Sequence, residues 1–402
     1  MARQTQAQGI ENYNEQQALA FFHSVLAQLP DPRRPQGIRY PLSTVVATAL
    51  MAIVCGCDDA EAIEEWAYVH RQWLHSFLPM PHGSPTQDVY LAVFAALDTT
   101  AFELLLQSWA DLLVLRLNLQ DKHLAVDGKT SRGSFDSSKS NKAIHTVSAW
   151  LSDAGLVLAQ NKVDEKSNEI KAIPELLKSL DLTNTTVTID AMGCQIEIAE
   201  TIRQRGGHYL LAVKDNQPHL HQELEETFRE ADDDRRRTFD EVKRPVIEEH
   251  EETDGGHGRV EIRRVRICRV LDWVLSSSRW KDLSVLVEVR RERSVMSSGK
   301  TTVETHYYIG SDANSGSKRI GKQIRQHWSI ENSLHWVLDM AFGEDEARHR
   351  AKNTAKNMNT LRHFALNLLK QDKERKLGIA NSRKRAGWDR NYLLHLLTQG
   401  TP

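Results

Sequence analysis

The chain has 402 residues, enough for two or three domains with a sizeable core. Hydrophobic residues make up 40% and charged residues 26%, the balance of a globular protein rather than of a disordered or membrane-embedded one. The net charge of −2 does not by itself indicate a nucleic-acid binder, and the four cysteines form no CxxC pair, which argues against a zinc cluster or a disulfide framework and favours reduced cytosolic thiols.

The first 118 residues have a helical pattern, because apolar residues recur at intervals of three and four. The most apolar run extends from Leu42 to Cys57, and Pro41 stands where the first turn of a helix accepts proline. The run is shorter than the ~20 residues that span a bilayer, and Ser43 and Thr44 interrupt it. It therefore predicts a buried core helix in an all-helical N-terminal domain, residues 1–118, with no membrane association.

Strands and helices alternate from His123 onward. The segments are HLAVDGK (strand), AIHTVSAWL and GLVLAQNKV (a hairpin around Ser152–Gly155), NEIKAIPELLKSLDL (helix), TTVTIDA (strand), CQIEIAETIRQRG (helix) and HYLLAVK (strand). This order predicts an α/β domain with a mixed sheet and flanking helices.

Strand-like alternation continues in RVEIRRVRICRVL, DLSVLVEVRRER and TTVETHYYIGS, so residues 219–310 are predicted to form a β-rich segment. Helical patterns return in residues 311–372, with one long helix predicted from Ile320 to Phe342. We assign 119–218 and 311–372 to the α/β core and 373–402 to a basic tail. From position 318 to the end, 17 Lys and Arg face 8 Asp and Glu, which indicates a phosphate-facing surface or a solvated helical face.

Two aspartates follow apolar strand patterns. HLAVDGK is apolar up to Asp127, and TVTIDAMG is apolar up to Asp190. An acid at the carboxyl end of a strand lies where α/β sheets place their active sites. Either aspartate alone also fits the start of a loop or a helix cap.

Glu331 stands out on the predicted long helix. On a wheel of 100° per residue it falls among Ile324, Trp328, Leu334 and Leu338, which predicts a carboxylate in the middle of an apolar stripe. A buried carboxylate is costly unless it is paired or binds a metal. Three acids from separate elements could jointly hold two divalent cations, Mg²⁺ or Mn²⁺, for phosphoryl transfer; a salt bridge is the alternative role for Glu331.

Four segments resemble the H-repeat-associated, or ISAs-type, insertion-sequence transposases: HLAVDGKTSRGS, KVDEKSNEIKAIPELL, VTIDAMGCQ and HWSIENSLHWVLDMAFGEDEARHR. The resemblance extends upstream to DPRRPQGIRYPLSTVVATALMAIVCGCDDAEAIEEWA and downstream to RKRAGWD, so it covers nearly the whole chain. It implies an RNase H-like core with a β-rich insertion before the last catalytic helix. It also implies Asp127, Asp190 and Glu331 as the three metal-binding catalytic acids of a DDE enzyme.

Several polar residues near these acids are candidate DNA contacts. Related DDE families carry a tyrosine, an arginine and a lysine at fixed spacings around the glutamate, whereas His327 and Leu338 stand at two of those spacings here. The candidate DNA contacts are Lys129, Arg132, Lys214, Asn216, Arg325, His327, Asn332 and His335. For Lys129 and Arg132, a solvent-exposed position without a DNA contact is an equally good interpretation. For Lys214 and Asn216, the alternative is a turn that leads into the β-rich segment. The acids Asp339, Glu344, Asp345 and Glu346 are expected to pair with Arg348 and Arg350.

The expected activity is that of a DDE transposase of a bacterial insertion sequence. It would bind double-stranded DNA at terminal inverted repeats, cleave it with two Mg²⁺ (or Mn²⁺) ions, and join it to target DNA. Two DNA ends must be brought together, which implies a homodimer in the synaptic complex, with the N-terminal domain serving DNA binding or assembly. The expected location is the bacterial cytoplasm, with the nucleoid when bound to DNA. The alternatives are an RNase H-like nuclease or resolvase, and a catalytically silent DNA-binding descendant.

Overall fold

The computed structural model describes residues 19, 23–131, 144–163, 169–233, 245–256, 258–269, 278–347, 351–373 and 377–398. The chain divides into two compact units. The first comprises Met1–Leu119, Gly128–Lys166 and Glu331–Pro402, and the second comprises Gln120–Asp127 and Ser167–Ile330. The four-part domain division stays a prediction.

The first unit contains most of the helices of the described chain. They are α1 (Leu42–Val54), α2 (Ala60–Val69), α3 (Arg71–Leu74), α4 (Gln87–Ala96), α5 (Thr99–Leu117), α10 (Trp336–Phe342), α11 (Thr354–Gln371), α12 (Ile379–Trp388) and α13 (Arg390–Thr398). Helix α1 begins directly after Pro41, and every one of its residues is buried. The apolar run from Leu42 is thus a core helix, as predicted.

Helix α11 is the centre of the first unit, and it packs against α1, α4, α5 and α12. The ring of Phe364 stacks on Trp109 of α5 with ring centroids 4.6 Å apart. Asn367, which is fully buried, binds strand β3 (Leu156–Val163): its amide donates to Val157 O at 2.9 Å and its Oδ1 accepts from Val157 N at 2.8 Å.

Strand β3 forms the predicted hairpin with β2 (Ile144–Leu151). The turn between them ends at Gly155, whose φ of +68° is a backbone conformation that glycine adopts readily. In the same unit, Thr130 of strand β1 (Lys122–Ser131) contacts His145 of β2, with Oγ1 and Nδ1 2.9 Å apart. Strand β1 begins in the second unit and ends in the first.

The sheet of the second unit is mixed. Its strands lie in the order β1, β4 (Thr185–Ile189), β5 (His208–Val213), β9 (Lys300–Gly310), β8 (Val285–Val295), β7 (Arg259–Arg269) and β6 (Ile247–Gly256). Strands β1, β4 and β5 are parallel, and the pairs from β5 to β6 are antiparallel. The predicted α/β class with a mixed sheet is confirmed.

The β-rich segment continues the core sheet directly, because β9 pairs with β5 and aligns Leu210 with Gly310. Its sequence pattern predicts β7, β8 and β9 but not β6 or helix α8 (Pro218–Asp233). Strand β6 is largely exposed and acidic, and the arginines of β7 pair with its side chains: Arg264 lies 3.0 Å from Glu249 and 2.7 Å from Glu251. An exposed edge strand of this kind lacks the apolar alternation on which sequence reasoning depends.

Three helices complete the description of the second unit: α6 (Glu169–Lys178), α7 (Ile196–Gln204) and α9 (Ser317–His327). Ile320 and Ile324 of α9 pack on Val265 of β7 and Val287 of β8. Gly321 lets the helix approach closely, since a Cβ atom there would lie 3.0 Å from Cγ2 of Val265.

No single helix of the described chain is long and apolar enough to cross a membrane. Helices α4 and α5 taken together have the length and apolar composition of a membrane span, but the chain bends by 93° between them.

Candidate active site

Asp127 and Asp190 each follow the last paired residue of two neighbouring parallel strands. The register aligns Val126 of β1 with Ile189, the last residue of β4, and an aspartate follows each of these two residues. Adjacent strands lie about 4.8 Å apart, and in-register side chains point to the same side of a sheet. The register therefore places Asp127 and Asp190 at the same edge of this strand pair, within the second unit.

The sequence pattern predicts that Asp127 ends its strand, and this prediction is wrong. Strand β1 continues to Ser131, although its pairing with β4 stops at Val126. Gly128, Lys129 and Thr130 keep an extended backbone. The glycine that follows Asp127 therefore does not mark the end of the strand. The strand that ends here is the neighbouring β4, whose last residue is Ile189.

The backbone after β4 fixes the Asp190 carboxylate. Its Oδ1 accepts hydrogen bonds from the amides of Met192 at 3.1 Å and Gly193 at 3.3 Å, which closes a short 3₁₀ turn. Gly193 is required there, because a Cβ atom at that position would overlap the side chain of Ile189. The glycine downstream of the acid thus lets the turn fold back onto its own strand.

Glu331 is exposed, so its predicted burial in an apolar stripe is wrong. The helical segment is interrupted by a turn at Trp328 and by a π-helical turn from Glu331 to His335, and it continues as α10. A π turn adds a residue to the helical repeat, so a wheel of 100° per residue loses register across it. The Glu331 side chain is 58% exposed and Trp328 is 63% exposed, whereas Leu334 and Leu338 are buried as expected.

Beneath Glu331 lies a buried histidine. Nδ1 of His335 is 3.1 Å from Oε2 of Glu331, and only 4% of the His335 side chain is exposed. Burial lowers the pKa of His335, and the nearby Glu331 carboxylate opposes that shift. The structure gives His335 an intramolecular contact, in place of the exposed position expected of a DNA contact.

Lys129 is engaged by three carboxylates of the first unit. Its Nζ lies 2.7 Å from Asp339, 3.1 Å from Glu344 and 3.5 Å from Asp345. Only 11% of its side chain is exposed, which leaves little surface for the expected phosphate contact. The pairing of these acids with Arg348 and Arg350 lies outside the described residues, as does Arg132.

Glu344 is the buried member of this group, with 2% of its side chain exposed. Burial acts to raise the pKa of Glu344, but the charges of Lys129 and His363 and a 2.7 Å hydrogen bond from Ser131 Oγ outweigh it, so the pKa is lowered. The Glu344 carboxylate and the Lys129 ammonium thus form a buried ion pair. Sequence reasoning missed this pair, although the alternation of Asp127, Lys129 and Ser131 along one face of a strand is a signal that could have suggested it.

Comparison with known proteins identifies the chain's relatives. The family model described as "Transposase DDE domain" matches residues 118–368, and the one described as "DDE_Tnp_1-associated" matches residues 23–110. The chain belongs to the DDE transposase family. Among its relatives are the "H repeat-associated putative transposase YhhI" and the "Putative protein YbfL" of Escherichia coli (strain K12), each 35% identical over 379 residues that cover 92% of this chain and 95% of the relative. The "Putative transposase YncI" of Escherichia coli O157:H7 is 35% identical over 383 residues, with 92% and 93% covered.

The resemblance to H-repeat-associated transposases is thus confirmed, and membership in the DDE family implies the use of divalent metal ions. The matched region contains Asp127, Asp190 and Glu331. Their assignment as the catalytic acids stays a prediction.

In this DDE family member, His327 belongs to a partly buried chain of polar side chains in the second unit. Thr188 Oγ1 lies 2.9 Å from Nε2 of His123 and 3.0 Å from Nδ1 of His327. Burial lowers the pKa of His327, and the charge of Asp190 opposes the shift. His327 thus lies within the electrostatic reach of a predicted catalytic acid.

The other candidate DNA contacts are exposed. Arg325 pairs with Glu252 at 2.7 Å and with Asp254 at 3.5 Å, so its charge is partly compensated. Asn216 donates from Nδ2 to Ala191 O at 2.6 Å, which joins its loop to the turn after Asp190. Lys214 and Asn332 have exposed side chains. A DNA contact remains a prediction for all four.

Proposed function

We propose that this protein is the transposase of a bacterial insertion sequence, which binds the element's terminal inverted repeats, cleaves DNA strands and transfers them to target DNA. Asp127, Asp190 and Glu331 would hold two Mg²⁺ or Mn²⁺ ions. The observation that carries the proposal is the alignment of Val126 with Ile189 on parallel strands of a DDE-family chain, because Asp127 and Asp190 directly follow these two residues.

The donor set fits divalent cations. Two carboxylates on adjacent strands repel each other, and a cation between them relieves that repulsion. Carboxylate oxygens are the ligands that Mg²⁺ and Mn²⁺ prefer. Glu331 presents an exposed carboxylate, and His335 offers a ring nitrogen as a further possible ligand.

A site of this kind would catalyse phosphoryl transfer. Two divalent ions would stabilise the attacking and leaving oxygens of an in-line displacement at phosphorus. The backbone amides after Asp190 orient its carboxylate, and His335 restricts the rotamers of Glu331. No covalent protein nucleophile is required, since water or a 3′-hydroxyl can attack.

Double-stranded DNA is the partner that this chemistry requires. Two ends must be held together for joining, so we propose a homodimer in the synaptic complex, acting where the bacterial chromosome lies. The basic balance from position 318 onward supports a phosphate-facing surface in that part of the chain.

The test uses the full-length protein and a linear duplex that carries the sequences flanking its gene. With Mg²⁺ we expect strand cleavage at the edges of short inverted repeats, and with a target plasmid we expect joined products. Cleavage of unrelated duplexes with equal efficiency would indicate a nuclease, and specific binding without any cleavage would indicate a silent descendant; either result contradicts the proposal.

A further inference from the structure

Two rows of polar residues face each other in the first unit, one on a strand and one on a helical segment. Along β1, Lys129 and Ser131 are two positions apart, which places both side chains on one face of the strand. Along the helical segment, His335 and Asp339 follow Glu331 at intervals of four.

The contacts between these rows are short, and one of them is buried while the other is partly buried. Lys129 Nζ donates to Asp339 Oδ1 at 2.7 Å, and Ser131 Oγ donates to Glu344 Oε1 at 2.7 Å. Glu344 follows the end of α10 after Gly343, whose φ of +57° turns the chain back toward the strand. The end of β1 is thus bound to the middle of α10 and to the turn that follows this helix.

We infer that Lys129 is a positioning residue: its ammonium holds the helix that follows Glu331 against the end of β1, and thereby fixes the Glu331 carboxylate proposed as a metal ligand. The inference rests on the proposed function for its metal site. The path to Glu331 is short, because Asp339 lies one turn beyond His335 and His335 contacts Glu331.

The alternative role for Lys129, a contact with DNA phosphate, conflicts with its surroundings. An ammonium that is 11% exposed and already shared by three carboxylates carries no net positive charge to offer to DNA. Its removal would instead leave like-charged carboxylates facing one another, and α10 would move away from the strand.

The experiment compares Lys129→Met, Lys129→Arg, Glu344→Gln and the double variant Lys129→Met/Glu344→Gln with the wild type. Mn²⁺ binding is followed by electron paramagnetic resonance in the presence of duplex DNA, DNA affinity is measured separately, and thermal unfolding reports the fold. Lys162→Met is the matched control, because Lys162 is also buried and ion-paired, 2.8 Å from Glu103 in the same unit.

We expect Lys129→Met to weaken Mn²⁺ binding by roughly 10–100-fold with DNA affinity nearly unchanged. Lys129→Arg should retain part of the Mn²⁺ affinity, and Lys162→Met should lower stability alone. The double variant should regain thermal stability but not Mn²⁺ affinity. Wild-type Mn²⁺ affinity in Lys129→Met or in the double variant, or a loss confined to DNA affinity, would overturn the inference.

The two proposals fail in different ways. If the wild type binds Mn²⁺ and Lys129→Met does not, while neither cleaves the inverted repeats, the transposase proposal fails and the positioning role stands. If the wild type cleaves the repeats and Lys129→Met binds Mn²⁺ equally well, the positioning role fails and the transposase proposal stands.

Discussion

Nδ1 of His335 lies 3.1 Å from Oε2 of Glu331 across the π-helical turn that contains both residues. The ring is buried, while the carboxylate is exposed. A rigid ring beneath an exposed carboxylate limits the positions that the carboxylate can adopt, which is the usual function of a residue that supports a metal ligand. π-helical turns occur frequently at functional sites for this kind of local adjustment.

Replacement of this ring should therefore affect catalysis more than folding. We expect His335→Ala to lower the rate of Mg²⁺-dependent strand cleavage by about 10–100-fold and His335→Gln to retain part of it. Cleavage rates and DNA affinity should be measured on the same preparations, with the exposed His75→Gln as control. Equal loss of DNA affinity and cleavage would instead assign His335 to DNA binding.

Substitution of any of the three acids should impair cleavage without impairing DNA binding. Asp127→Asn, Asp190→Asn and Glu331→Gln each remove a charge with little change of volume, so we expect cleavage to fall by roughly 10³-fold or more while binding to the inverted repeats persists. The exposed Glu200→Gln on α7 is a matched control. Normal cleavage by any one of the three variants removes that residue from the site.

The buried His123 predicts a pH dependence of stability. Burial lowers its pKa to about 3, and the nearby charges of His327 and Lys322 act in the same direction. Because an unfolded histidine titrates near ~6.5, the unfolded chain binds a proton that the folded chain excludes, and the free energy of unfolding falls as the pH drops below that value. The expected slope is about 1.4 kcal/mol per pH unit down to pH about 3.

Denaturant unfolding at pH 7 and at pH 4.5 measures this effect. His123→Gln should lose less stability over the interval than the wild type, whereas the exposed His219→Gln should match the wild type. An identical pH dependence in His123→Gln and the wild type would show that another group is responsible.

The contact between Asn367 and Val157 predicts a stability effect in the first unit. Asn367→Ala leaves the amide and carbonyl of Val157 without their side-chain partner in a buried position, so we expect the free energy of unfolding to drop by about 2–4 kcal/mol. Asn381→Ala, at an exposed position of α12, is the control and should change it by less than about 0.5 kcal/mol. A small effect at Asn367 would mean that β3 does not depend on this anchor.

The sequence by itself determined the α/β class, the hairpin at Ser152–Gly155, the buried helix from Leu42 and the family to which the chain belongs. These follow from local periodicity and from motifs, each of which depends on residues close together in the chain. The pattern also singled out Asp127, Asp190 and Glu331, although its reason for Glu331 was wrong, since the π turn carries that carboxylate out of the apolar stripe.

Only the tertiary structure decided the surroundings of these acids. The alignment of Val126 with Ile189, the residues before Asp127 and Asp190, joins positions 63 apart, and the contact of Lys129 with Asp339 joins residues 210 positions apart. An exposed acidic strand such as β6 has no apolar alternation in its sequence. The sequence pattern around a lysine in a strand also does not show whether the lysine contacts DNA or a buried glutamate. Periodicity reports which face of an element is apolar, but not which polar groups the fold will place against it.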